Sequence, residues 1–239
     1  AFKLAEAEKP GVTVIELPED VAKEEVTVEP MPVYRTRRPG ADHKTVTQAV
    51  ERMVAAKRPV ILAGNGAIRK RAATQLRRLA HKTGIPVVNT FMGKGAVPME
   101  DKHCLFTMGL QGKDHINHAM DQVDLVITVG YDLVEYSPSF WNADMTKKVV
   151  HIDFLPAEID YHYTVEVDVV GDIADALWQI NMELERHHAG RLPLQNIDSW
   201  QRLRNSIQKD FAMEKDDNSF PLKPQKVLWD VREYLGPGD

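Results

Sequence analysis

Arg58-Pro-Val-Ile-Leu-Ala-Gly-Asn-Gly-Ala67, Gly84-Ile-Pro-Val-Val-Asn-Thr-Phe-Met-Gly-Lys-Gly95 and Val123-Asp-Leu-Val-Ile-Thr-Val-Gly-Tyr-Asp132 repeat one pattern: a short Val/Ile-rich run that ends in a glycine-bearing turn. Between the first two, Ala72, Leu76, Leu79 and Ala80 recur at helical spacing. Continuous apolar runs separated by helices are the mark of parallel strands buried on both faces, joined by crossover helices. Two further runs, Lys148 to Ile152 and Val167 to Val170, make five strands in βα order. The expected fold is α/β, a doubly wound parallel sheet with right-handed crossovers, Rossmann-like, with flanking helical and extended segments. In such sheets ligands sit at the carboxyl ends of the strands. Gly64 to Gly66, Thr90 to Gly95 and Gly130 to Asp132 are therefore expected to line one crevice.

Composition narrows the classes. The chain has 239 residues, 43% hydrophobic and 27% charged, enough for a sizeable core. A net charge of -5 argues against non-specific nucleic-acid binding, and the apolar run Val123 to Gly130 is too short to cross a bilayer. The single cysteine, Cys104, excludes an internal disulfide framework, and no signal-peptide succession opens the chain, so the cytoplasm is expected. Ala1 stands where a start Met would, and the chain opens in a helical pattern, so it reads as a fragment of a longer protein.

Working outward, Ala1 to Lys9 reads as the end of a helix, and Val12 to Leu17 as a short buried strand closed by Pro18. Residues 20 to 39 turn from acidic to proline-bearing to basic (Arg35, Arg37, Arg38) without any period, which predicts an extended linker. Asp42 is placed to cap a helix over Lys44 to Ala56. The basic side of the helix Ala67 to Thr83 (Arg69, Lys70, Arg77, Arg78) is better explained as a solvated face than as a phosphate site. Phe91 to Gly112 has no period and reads as one long loop, a length more often functional than idle. A helix over Asp114 to Gln122 follows. Asp172 is placed to cap a helix running to about Arg186, Ser199 to Met213 is a polar amphipathic helix, and Gln225 to Leu235 carries an apolar stripe before Gly236-Pro237-Gly238. Domain boundaries are expected at 1–20, 21–41, 42–190 and 191–239.

The chemistry-bearing motifs are few. Gly64-Asn65-Gly66 resembles the start of a dinucleotide fingerprint, but Arg69 stands where the third glycine belongs. Its glycines serve either close approach to a ligand or a tight strand-to-helix turn. Asp153 either accepts ribose hydroxyls or caps the turn before Pro156. His115 and His118 lie three apart on a helix, and His151 and His187-His188 stand elsewhere, but no supporting carboxylate spacing makes them a metal site. Tyr136, Phe140 and Trp141 form an aromatic cluster open to core, domain-contact or ligand readings. No nucleophile and base pair or G-x-S-x-G elbow is present, so no catalytic residue is expected.

Four stretches carry a resemblance: Pro10-Gly-Val-Thr-Val-Ile-Glu-Leu-Pro-Glu-Asp-Val-Ala22, Arg58 to Gly66, Gly84 to Pro98, and Val149-Val-His-Ile-Asp-Phe-Leu-Pro-Ala-Glu-Ile-Asp160. In them the chain resembles thiamine diphosphate-dependent enzymes, the large chain of acetolactate synthases in particular. The resemblance implies a central domain, preceded by the end of the pyrimidine-binding domain and followed by the start of the diphosphate-binding domain. It also implies thiamine diphosphate and Mg2+ bound outside these residues, pyruvate as substrate, and a homodimer or homotetramer. The glutamate that activates the cofactor would precede this region and the magnesium motif would follow it, so the fragment itself is expected to be inactive. Sister enzymes, a pyruvate oxidase or a 2-oxo acid decarboxylase, are the alternative, and a stand-alone nucleotide-binding module is a third. Residues matching the family's FAD contacts are Gly64, Asn65, Gly66, Thr90, Met92, Gly130, Asp153 and Asp172. The departure is at Gly130-Tyr-Asp-Leu-Val-Glu-Tyr-Ser-Pro138, where the anabolic members carry Gly-Ala-Arg-Phe-Asp-Asp. It is similar to the catabolic, FAD-independent branch, so no FAD is expected.

Overall fold

A computed structural model describes residues 1–32, 38–109, 115–188, 192–195, 197–213 and 215–235. Arg35 and Arg37 of the expected linker, Gln111, the side chain of His118 and the closing Gly236-Pro237-Gly238 lie outside the described residues.

The elements follow in chain order as helices α1 (Phe2–Glu6), α2 (Glu19–Ala22) and α3 (His43–Ala55), then β1 (Pro59–Ala63), a 3-10 turn (Asn65–Ile68), α4 (Lys70–Thr83), β2 (Val87–Asn89) and β3 (Cys104–Thr107). After them come α5 (His115–Met120), β4 (Leu125–Val129), α6 (Pro138–Trp141), β5 (Lys148–Asp153), β6 (Val165–Val170), α7 (Ile173–His188), α8 (Ile197–Ala212) and α9 (Pro224–Tyr234). The strands form one parallel sheet in the order β3-β2-β1-β4-β5-β6. Ile61 lies beside Val87 on one side and Ile127 on the other. The chain therefore leaves the sheet centre in both directions, and the order reverses between β1 and β4.

Strand side chains alternate between two cores, and this is why the runs read as continuously apolar. Ile61, Ala63, Ile127, Val129, Val150 and Ile152 face α3, α4 and α7. Val60, Leu62, Val126 and Val149 face the side closed by Met120 of α5, Trp141 of α6 and Trp200 and Ile207 of α8. Local chemistry sets the helix ends. Asp42 accepts the Thr45 N–H at 3.2 Å, Asp172 accepts the Asp175 N–H at 2.9 Å, and Gly84 closes α4 in the left-handed region with φ 79°. Asp124, just before β4, accepts the N–H groups of Lys57 and Arg58, both at 2.9 Å, and so ties the entrance of β1 to its neighbour.

Three expectations are corrected. The loop expected over 91–112 contains a sixth strand, β3, whose four residues are all buried. Four buried residues leave no alternation to read. Val12 to Leu17 is not a strand. Val12 and Val14 stand 94% and 81% exposed, because β-branched residues hold an extended ladder only where a neighbouring strand pairs with it. The linker, expected to be extended throughout, includes the single helical turn α2.

The edge strand β3 is covered by α8, not left open. Arg204 of that helix is 4% exposed and donates to the carbonyls of Cys104 and Met99, each at 2.7 Å, with its guanidinium 5.0 Å from the Phe106 ring centroid. An edge without such a cover would offer unpaired backbone groups to other chains.

Candidate site at the carboxyl ends of the strands

All the expected turns converge where the strand order reverses. Gly64 donates its N–H to the Val129 carbonyl at 3.0 Å, Gly66 to the Gly130 carbonyl at 2.8 Å, and Thr90 to the Ala63 carbonyl at 3.0 Å. The turns after β1, β2 and β4 are thus bonded to one another. A Cβ on Gly66 would lie 2.7 Å from the Gly130 Cα, and one on Gly130, whose φ is 56°, 2.4 Å from the Gly66 Cα. These glycines let two stretches of this chain touch. They close a tight strand-to-helix turn against the turn after β4.

Glu135 completes this cluster. Its carboxylate accepts the Asn65 N–H on both oxygens at 3.1 Å, the Asp132 N–H on Oε1 at 3.1 Å and the Thr90 hydroxyl on Oε2 at 2.5 Å. The Thr90 hydroxyl in turn accepts the Gly93 N–H at 3.0 Å. Sequence reasoning placed Asn65 and Thr90 here but gave Glu135 no role. The only signal was the departure after β4, because the contact spans 70 residues from Asn65.

The remaining expected residues lie apart from this cluster. Met92 is 55% exposed in the loop beyond Thr90. Asp153 ends β5 almost fully buried and accepts the Phe154 N–H at 2.5 Å, so it caps its own turn. Burial pushes its carboxyl above the usual range, against the pull of that N–H. Asp172 caps α7 and pairs with Arg38 at 3.3 Å. The opening segment crosses this rim. Glu8 pairs with Arg38 at 3.1 Å and Arg69 at 2.5 Å, and Lys9 with Asp132 at 2.7 Å. Both arginines lie within 5.5 Å of the Phe154 ring centroid. The Lys9 ion pair holds the Asp132 carboxyl below its ordinary range. Arg69 is therefore engaged with Glu8, and the basic face of α4 continues in Arg78 and Lys82, which share Glu185 at 3.3 and 2.6 Å. Of the aromatic cluster, Trp141 is core, 2% exposed, while Phe140 is 62% exposed and stacks on Tyr136.

Between Lys9, Tyr131, Asp132, His151, Asp153 and Tyr163 lies a cavity of about 80 Å3. Small-molecule sites ordinarily need roughly 300 Å3 or more. The cavity's inner wall is a closed hydrogen-bond chain in which the Tyr163 hydroxyl meets Thr128 at 2.6 Å and His151 Nδ1 at 2.9 Å. This cavity falls short of that size, the Asn65 and Asp132 amides at the strand ends are taken by Glu135, and the Gly66 and Gly130 Cα atoms face one another. Among the described residues the cluster with metal-ligand chemistry is His81, Asp101 and His103, at the opposite, amino-terminal end of β3. In it Asp101 bridges His81 Nε2 at 2.5 Å and His103 Nδ1 at 3.1 Å, a clasp between α4 and the approach to β3. Asp101 and His103 stand two apart, but His81 lies twenty residues earlier, too far to complete a spacing signal.

Comparison with known proteins gives the relatives. A family model described as "Thiamine pyrophosphate enzyme, central domain" matches residues 46–180. The chain is 31% identical to the probable acetolactate synthase large subunit of Methanocaldococcus jannaschii, over 100% of its own length and 41% of that protein. It is 32% identical to the acetolactate synthase of Mycobacterium bovis, over 99% of the chain and 39% of the relative. To the glyoxylate carboligase of Escherichia coli O157:H7 it is 31% identical, over 99% of the chain and 40% of the relative. The chain thus spans about two fifths of the length of the curated relatives it matches.

Proposed function

From the premise that this chain belongs to the thiamine pyrophosphate enzyme family, as that family's central domain, we propose that the protein carrying it is an acetolactate synthase. That is a transferase joining two pyruvates to 2-acetolactate with loss of CO2. The supporting observation is that similarity to acetolactate synthases runs over the whole chain and not over the matched domain alone. In this reading residues 1–20 close the pyrimidine-binding domain, 21–41 link, 42–190 are the central domain, and 191–239 lead into the diphosphate-binding domain. Thiamine diphosphate, held with Mg2+ by residues outside this chain, supplies the carbanion chemistry. The 239 residues supply the scaffold, and their own reactive contribution is none. The protein works in the cytoplasm as a homodimer or homotetramer.

FAD is not part of this reading. Support comes from the engaged amides around Glu135 and the small cavity beside Asp153. In this reading the expected flavin contacts at Gly64, Asn65, Gly66, Thr90, Gly130, Asp153 and Asp172 serve packing and capping, and Met92 lies exposed beside them. A second reading, glyoxylate as the 2-oxo acid, has one observation in its favour, the 31% identity to a glyoxylate carboligase. The intact protein should turn over pyruvate with thiamine diphosphate and Mg2+, releasing CO2 and an acetoin precursor. Preference for glyoxylate selects the second reading, and stoichiometric flavin in the purified protein refutes the flavin-free one.

A further inference from the structure

We propose that the Glu135 carboxylate is a built-in anion at the β1/β4 reversal, and that it is the residue which closes this domain to phosphate-bearing dinucleotides. The inference rests on the flavin-free reading above and gives it a cause. Four hydrogen bonds hold the carboxylate, and every donor is neutral: the Asn65 N–H twice, the Asp132 N–H and the Thr90 hydroxyl. Among the described residues no ion pair reaches it. A carboxylate held only by converging amide and hydroxyl dipoles occupies what those dipoles are suited to hold, a negative charge. The donors come from the ends of three strands, β1, β2 and β4. Such convergence at a strand reversal is where α/β sheets place ligands.

The packing points the same way. A Cβ on Gly64 would lie 2.9 Å from Glu135 Oε1, so the carboxylate is pressed against the turn and leaves no gap for an outside group. Glu135 is held from behind as well. It sits on the segment fixed by the buried Tyr131, whose hydroxyl donates to the Tyr136 carbonyl and accepts from Trp141 Nε1 at 3.4 Å. A phosphate arriving here meets a charge of its own sign on the amides that would hold it. Exclusion is therefore electrostatic and steric together.

Removing the carboxylate frees the donors. Glu135→Ala in the intact protein should gain saturable binding of pyrophosphate and ADP, at least about tenfold tighter than wild type. Glu135→Gln keeps the volume, leaves an oxygen on the Asn65 and Asp132 amides with its NH2 toward the Thr90 hydroxyl, still fills the donors, and should gain nothing. Exchange of the Asn65 and Asp132 amide hydrogens should quicken in Glu135→Ala and slow again with pyrophosphate. Should Glu135→Ala not fold, Glu135→Ser carries the same expectation. Binding of pyrophosphate, ADP or FAD by wild type as tight as by Glu135→Ala overturns the proposal, and so does a folded Glu135→Ala or Glu135→Ser that binds none. Carboligase turnover is a separate readout: its absence in wild type counts against the proposed reaction and leaves the anion measurement standing.

Discussion

Replacing Arg204 with Met tests what covers the open edge of the sheet. The side chain is 4% exposed and spans from α8 to two carbonyls, those of Cys104 and Met99, at 2.7 Å each. A hydrogen bond to a charged group contributes about 1.5–3 kcal/mol, and a buried carbonyl left unpaired costs about 1–3 kcal/mol. Met keeps most of the volume and its contact with Phe106, so packing loss is small. The desolvation of the guanidinium, no longer required, offsets part of the total. The expected loss is about 3 kcal/mol, a large share of the roughly 5–15 kcal/mol that holds a domain together. Urea unfolding measures it as a lower midpoint at unchanged slope. Native-state hydrogen exchange should show the loss concentrated in Leu105 and Phe106, because the edge strand can open without the centre. A loss under about 1 kcal/mol, or one spread evenly over the sheet, refutes the idea that this arginine holds β3 in place.

Three further outcomes follow from other contacts. Gly130→Ala places a methyl 2.4 Å from the Gly66 Cα at a φ of 56°, so thermal unfolding should show a loss above about 2 kcal/mol. Tyr163→Phe leaves Thr128 and His151 each short of a partner and should cost about 1–2 kcal/mol in the same assay. The Asp101 clasp predicts acid sensitivity in two stages. Burial holds the His103 ring below its ordinary pKa despite Asp101 beside it, so the unfolded chain takes up protons first and stability falls as pH drops below about 6.5. For Asp101 itself burial pushes the carboxyl up, but the His103 N–H and the rings of His81 and His103 outweigh it and hold the pKa low. Its contribution is full above about pH 4 and lost as pH falls through the lowered value. Asp101→Asn should flatten that second limb of a melting-temperature profile, and an unchanged limb would show that the clasp contributes nothing.

The sheet was legible because Val and Ile runs buried on both faces leave a pattern in any window, and Asp42, Gly84 and Asp172 mark helix ends by local chemistry alone. β3 was not, since Cys104 to Thr107 owes its strand state to β2 on one side and Arg204 on the other, a hundred residues away. Val12 to Leu17 shows the converse: local propensity reads as a strand, and among the described residues no neighbouring strand pairs with it. At the reversal, the glycines told of a close approach but not of what approaches. Glu135 was visible as part of a departure from the anabolic pattern, while its partners at Asn65 and Thr90 are fixed only by the folded sheet.

The contact between Gly66 and Gly130 has a consequence for how this domain can change over time. Two main chains meeting without any side chain between them leave selection nothing to trim or enlarge at those positions, so drift there is closed. Beyond the buried Tyr131, the side chains from Asp132 to Glu135 reach the rim and are under no such restriction. If the proposal for Glu135 holds, exchanging that side chain, with the turns beneath it left alone, changes what this end of the sheet can bind without rebuilding the sheet.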